Sequence, residues 1–268
     1  MNSIGCLAHA GGEPGVDIHF SCNGCGRCCE GHHVPLTLTE AYHWVRRGGD
    51  LIVLVECLIE QAAPLSVAER EHQGKRAVSV RCGQQWLPVI VTFAAFNPGR
   101  CRHLLADNRC AIYAERPLVC RIYPAEINPA AAFTPALKDC AAEVWLPPQP
   151  LIYRAGLPAP ELQALIEQSR AADRADKARK VAICEALGIR VAALKGEGFT
   201  AWRPDSQAWL NAYAQQGGRS DPGAQWYVQP STARLHEIVA DAGYHLGSVA
   251  GSAGAFIPLA RPAAEQAV

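Results

Sequence analysis

Residues 21–31 read Ser-Cys-Asn-Gly-Cys-Gly-Arg-Cys-Cys-Glu-Gly and place four thiols, Cys22, Cys25, Cys28 and Cys29, within eight residues. A Cys-x-x-Cys step lets two sulfurs converge on one metal while the backbone between them turns. Gly24 and Gly26 supply the positive φ such a turn often needs. Two steps in succession make a three-thiolate claw. Cys29 adds a fourth sulfur, but adjacent residues cannot all aim at one ion without strain, so Cys29 is free to point elsewhere. Buried, inert cysteines do not usually cluster at ligand spacing, and metal binding is the better reading.

A second cysteine region follows with wider gaps: Cys101, Cys110 and Cys120, then Cys140 twenty residues on. The eight thiols match two tetrathiolate zinc ions, or one iron–sulfur cluster with thiols left over. Zinc thiolate sites commonly use pairs of Cys-x-x-Cys, and only the first block has that spacing. Cys-x-x-Cys-x-x-Cys with a remote fourth cysteine is nearer the bacterial ferredoxin run, although the Cys-Pro of that run is absent. The spacing therefore favours an iron–sulfur cluster, with zinc as the alternative. Arg100, Arg102, Arg109, Arg116 and Arg121 interleave with these cysteines against only Asp107 and Glu115. Such guanidinium groups offset the negative charge of a metal–thiolate centre and lower thiol pKa values. His32, His33 and His103 are secondary ligand candidates, and Glu30 is a candidate acid or base. Cys6, Cys57, Cys82 and Cys184 are scattered and read as small hydrophobes or free thiols.

The totals constrain what these residues serve. A chain of 268 residues can bury a core without metal, so the thiols are not needed merely to staple a small protein. Twenty-five acidic and twenty-five basic residues cancel, which argues against a general nucleic-acid footprint. No apolar run is long enough to span a bilayer, and residues 1–12 lack the basic start and apolar stretch of a secretory signal. Twelve cysteines without such a signal point to a reducing, cytoplasmic compartment and to metal or redox chemistry rather than disulfides. No Gly-rich fingerprint follows a strand, and there is no Gly-x-Ser-x-Gly elbow or His-Glu-x-x-His helix.

The elements that must position the cysteines give an α+β reading: a compact, loop-rich cysteine-cluster domain with a small antiparallel β element and a helical C-terminal extension. Thr37-Leu-Thr-Glu40 reads as a capping box opening a short helix that Gly48-Gly49 stops. Residues 51–58 are a buried strand or a helix start. Residues 77–82 and 88–93 form an antiparallel hairpin, and 125–158 is loop-like. Helices are predicted from about Pro160 to Leu187, near 206–216, and from about Ser231 to Ala242. The expected organisation is an irregular arm over 1–19, a metal domain over 20–150, a helical extension over 151–245 and a loose tail over 246–268.

Cys22-x-x-Cys25-x-x-Cys28-Cys29, followed by Cys110-x-Ile-Tyr-x-x-Arg-Pro-x-x-Cys120-Arg-x-Tyr-Pro, resembles the CxxCxxCC (YkgJ-like) family. The likeness runs from about Phe20 to Cys140 and includes Leu36-Thr-Leu-Thr-Glu40 after the claw. It implies zinc or iron chelation by the eight cysteines. The family includes flagellin lysine N-methylases, but the C-terminal extension here carries no methylase-specific motif. The expected function is a metal centre serving a redox or protein-modifying activity. A non-enzymatic, zinc-stapled module presenting a surface to a protein partner and a protein lysine N-methyltransferase-like enzyme are the alternatives.

Overall fold

The computed structural model describes residues 15–62, 64–215 and 223–259. Cys6, most of the expected N-terminal arm and the last nine residues of the expected tail lie outside these ranges. The strands are β1 (Ile18–His19), β2 (Val34–Leu36), β3 (Leu51–Cys57), β4 (Val78–Cys82), β5 (Gln85–Ala95), β6 (Leu151–Arg154), β7 (Leu157–Pro158), β8 (Val191–Leu194), β9 (Gly198–Trp202), β10 (Tyr227–Gln229) and β11 (Gly254–Pro258). The helices are α1 (Leu38–Arg46), α2 (Val67–Arg76), α3 (Leu118–Ile122), α4 (Pro160–Ala186), α5 (Ser206–Gln215) and α6 (Ala233–Asp241). The fold is mixed α+β.

Packing divides the chain into two units, each made of two stretches of sequence. One takes the residues up to Val34 together with Asn97–Ala172; the other takes Pro35–Phe96 together with Asp173 onward. All eight thiols of the two cysteine regions lie in the first unit. Cys57, Cys82 and Cys184 lie in the second, each fully buried, as the small-hydrophobe reading expects.

In the second unit the ambiguous stretch 51–58 is strand β3. Its burial is nearly continuous on both faces, as for a strand covered on both sides. β3 pairs antiparallel with β5 along its length, antiparallel with β9 through Val53–Val55, and parallel with β8 through Glu56 and Cys57. β4 and β5 form the expected hairpin, Val78 facing Val89 and Cys82 facing Gln85. The sheet runs β10-β8-β3-β5-β2 along its main path, with β9, β11 and β4 attached. Part of the expected loose tail is therefore strand: Gly254–Pro258 pairs with β9, where β-branched and aromatic Ile257 and Phe256 give it a surface to lay against the sheet.

The capping box opens α1 as expected. The Glu40 N–H donates to Thr37 Oγ1 at 3.2 Å, and the Thr37 N–H donates to Glu40 Oε2 at 2.9 Å. The helix buries Leu38, Ala41, Trp44 and Val45 on one stripe. After it, Gly49 cannot be replaced cheaply, since a Cβ there would lie 2.2 Å from Trp44 Nε1. That indole N–H donates to the Asp50 carbonyl at 3.0 Å. Trp209 and Phe93, both fully buried, meet edge to face with ring centroids 5.5 Å apart, and Tyr213 stacks on Trp209 at 5.4 Å.

α4 begins at Pro160, which suits a first position lacking a hydrogen-bond acceptor for its N–H, and stops at Gly188, whose φ is 73°. From Asp173 onward it belongs to the second unit. There Asp173 accepts hydrogen bonds from Arg76 and from the buried Lys180, the latter at 2.5 Å. Burial alone would raise the Asp173 carboxyl pKa. Lys180 and Arg76 outweigh it and hold the carboxyl below the usual carboxylate range. A carboxyl whose folded-state pKa is depressed contributes stability above its unfolded pKa of about 3.9, and that contribution is lost as pH falls through the lower folded value. Acid unfolding of the native protein should therefore steepen below about pH 4 relative to Asp173→Asn, with both followed by circular dichroism. Equal acid sensitivity of the two proteins would show that the triad contributes nothing.

In the first unit β1, β6 and β7 form a small antiparallel sheet over Phe133 and Tyr153. Leu118 and Ile122 of α3 pack with Ile166 from the first half of α4. These two clusters are the apolar support for the cysteine loops.

Candidate metal centre

The first cysteine block is shaped by its glycines. Gly24 and Gly26 take φ of 71° and 76°, and Gly26 precedes a single 3-10 turn over Arg27–Cys29. A Cβ on Gly26 would meet Leu104 Cδ2 at 3.2 Å and Asn108 Cβ at 3.3 Å, so this glycine also admits the second block. Within the claw the Gly24 N–H donates to Cys22 Sγ at 3.4 Å, and the Cys25 N–H to Asn23 Oδ1 at 3.2 Å.

The two blocks meet. The Cys101 N–H donates to the Cys29 carbonyl at 2.8 Å and the Gly31 N–H to the Gly99 carbonyl at 2.7 Å, with Glu30 and Arg100 bridged across the same junction. Residues 101–111 then fold on themselves. Leu104 bridges Cys110, the Ala111 N–H donates to the His103 carbonyl at 2.8 Å, and Asn108 sits at φ 64°. Cys120 is carried by α3. Leu118 and Ile122, four residues apart, face the apolar cluster, which turns Cys120 to the other side of the helix.

By their electrostatic neighbours the sulfurs fall into two adjoining sets of four. Cys22 and Cys25 interact electrostatically with Cys140, and Cys22 with Cys28. Cys29 and Cys110 interact with both Cys101 and Cys120, which also feel each other. The groups touch at Cys28 and Cys29, whose sulfurs are 3.9 Å apart, and at Cys28 and Cys120. Adjacent Cys28 and Cys29 differ in their further neighbours, Cys22 for the first and Arg116 and Arg100 for the second, while their own sulfurs stay in contact. Cys22, Cys25, Cys28, Cys120 and Cys140 line one cavity of about 50 Å³, closed on other sides by Phe20, Val144, Tyr123 and Arg116. Among the described residues, no three His, Cys, Asp or Glu side chains converge tightly enough to hold a single ion.

Charge differentiates the thiols. Cys28 shares a hydrogen bond with Cys29, which pushes the Cys28 thiol up, helped by burial and by Cys22 and Cys120. The same bond brings Cys29 down to about 7, with Arg116 and Arg100 assisting against burial and Glu30. Burial raises Cys120 to about 12, reinforced by Cys29 and Cys101 and opposed by Arg116. Burial also raises Cys101 and Cys140. A bound cation inverts this penalty, because it stabilises each thiolate that its neighbours destabilise. The donor set therefore suits a thiophilic metal.

The other candidates sort less evenly. Arg100, Arg102 and Arg116 act on ligand-candidate sulfurs. Arg109 instead pairs with Asp107 at 2.7 Å. Arg100 has a second task, donating to the Leu105 carbonyl at 2.6 Å and to Asn108 Oδ1 at 2.9 Å. Two of the histidines and Glu30 have other partners, His32 through Asp139 at the cavity's edge. His32 Nε2 is 3.0 Å from Asp139, His33 Nδ1 accepts the Asn97 N–H at 3.0 Å, and Glu30 pairs with Arg100 at 3.3 Å.

Three contributors carry no spacing signal and were not singled out from the sequence. Asn97, nearly fully buried, donates through Nδ2 to the Cys29 and His32 carbonyls at 3.2 and 3.1 Å, pinning the first block. Arg27 hydrogen-bonds Cys25, which raises the guanidinium pKa. The Cys140 thiol donates to Tyr123 Oη at 3.6 Å; a deprotonated Cys140 would reverse that bond, accepting it from the phenol O–H. Tyr123 lies in the Cys-Arg-Ile-Tyr-Pro motif, the one signal that could have flagged it.

No curated protein and no solved structure matches the chain. Residues 21–141, which include all eight thiols, match the family model CxxCxxCC, described as a putative zinc- or iron-chelating domain.

Proposed function

We propose that the first unit holds an iron–sulfur cluster on Cys22, Cys25, Cys28 and Cys140, with Cys29, Cys101, Cys110 and Cys120 as a second thiolate set, and that this centre serves a redox or protein-modifying activity. The observation that carries the reading is the 50 Å³ cavity ringed by cysteines. Sulfurs spread around a space suit a group of several atoms better than one small ion. Arg27, Arg100 and Arg116 offset the charge, Tyr123 orients Cys140, and Phe20 and Val144 limit water. When bound, the cluster would supply one-electron chemistry. The free thiols throughout the described residues fit a reducing, cytoplasmic setting. Dithionite reduction of anaerobically prepared protein should yield an electron paramagnetic resonance signal, and a silent sample containing zinc would refute it.

Zinc is the second reading, because eight thiols are the number that two tetrathiolate sites require. In that case the unit is a stapled module whose surface meets a protein partner.

A further inference from the structure

A second cleft lies in the first unit, and no cysteine lines it. Its volume is about 210 Å³ and it is lined by three separate elements: Glu126, Asn128, Pro129 and Ala131 of a loop, Tyr153, Leu157 and Pro158 of the small sheet, and Gln163, Ile166 and Arg170 of α4. Positions 163, 166 and 170 recur on one helical face. Arg170 is largely buried. Its Nε donates to the Ile127 carbonyl at 2.8 Å and its Nη1 to Glu167 at 2.9 Å, while Nη2 has no partner among the described residues. Tyr153 is 1% exposed and stacked on Phe133. Its hydroxyl lies beside the Glu126 main chain and donates to no described residue. The carboxylate of Glu126 is already neutralised by Lys138. Arg170 is likewise ion-paired, with Glu167, so what the cleft offers an acceptor is the remaining guanidinium N–H of Arg170 Nη2 and a buried O–H donor, beside walls of Pro129, Leu157, Pro158 and Ile166.

We propose that this cleft binds a small organic carboxylate, its oxygens on Arg170 Nη2 and the Tyr153 hydroxyl and its hydrocarbon part against the apolar wall. The volume falls below the roughly 300–1,000 Å³ of pockets for drug-sized ligands, so the occupant is short-chained. Guanidinium–carboxylate bonds are charge-assisted and directional, which sets the class of ligand.

The probe is butyrate, titrated into the full chain at neutral pH by calorimetry and by NMR, with 1-butanol and n-butylammonium as matched controls. Butyrate should bind saturably in the millimolar range and the controls should not. Arg170→Gln should weaken butyrate by at least about tenfold, and Tyr153→Phe, which keeps the ring stack, by less. Leu157→Trp provides an independent check should Arg170→Gln fail to fold. Leu157 is 56% exposed, so the larger ring is tolerated at the rim while it fills the cleft and should abolish binding. Absence of saturable butyrate binding, equal binding of butanol, preference for butylammonium, or unchanged affinity in Leu157→Trp would each overturn the proposal.

Discussion

Replacing Cys120 by Ser is expected to strip the metal held by its group, on the order of half the chain's total if both thiolate sets are filled. Cys120 belongs to the second set yet also lines the cavity of the first, so the loss should exceed that of Cys110→Ser. A hydroxyl is a poor ligand for a soft metal, and metal binding is folding free energy for the loops it ties. The stretches joined here are far apart in sequence, Cys29 to Cys101 closing a loop of more than seventy residues, so apo loops should also become protease-sensitive. Cys184→Ser is the control. That thiol is fully buried in the second unit, and its loss should cost stability, about 1–3 kcal/mol for burying a hydroxyl, while leaving metal content unchanged. Metal analysis and limited proteolysis of the three variants check this. Metal loss from Cys184→Ser but not Cys120→Ser would reverse the assignment.

Trp209→Ala should be the most damaging substitution in the second unit. The indole is fully buried between the edge of Phe93 and the face of Tyr213. Removing a buried aromatic of this size typically costs about 3–5 kcal/mol, a large share of a domain's net stability. Urea unfolding should show the midpoint fall accordingly. Metal per folded molecule should hold, because none of the eight candidate ligands belongs to this unit. A midpoint unchanged within about 1 kcal/mol would mean that the site collapses around the cavity or that the ring packs less tightly than its burial indicates.

The cysteine region was the most legible part of the chain because its information is local. Gly24 and Gly26 declare their turns, and the Cys-x-x-Cys steps declare the first block, whose Cys28 and Cys29 sulfurs end 3.9 Å apart. The capping box at Thr37 and the stops at Gly48 and Gly188 were equally readable, since caps act within a few residues. Partner choice was not. Residues 51–58 satisfied strand and helix patterns alike, and only pairing with β5, β8 and β9 decides them. Nothing local announces that residues 35–96 pack with residues beyond 172, or that Gly254–Pro258 finds β9; sheets join positions that sequence spacing does not relate. Asn97 was invisible, and the role of Tyr123 was hidden inside a legible motif, for a related reason. Their roles depend on which carbonyl or sulfur the fold brings near, and their residue types are unremarkable.

The most direct measurement is elemental analysis of freshly purified protein kept under strict anaerobic conditions. Thiolate-to-iron charge transfer colours iron–sulfur proteins brown, whereas zinc has a filled d shell and gives no colour. The account predicts brown protein containing iron and acid-labile sulfide in comparable amounts, both lost in Cys25→Ser. Colourless, folded protein with zinc at about two per chain and neither iron nor sulfide would contradict the iron–sulfur assignment while preserving the two thiolate sets.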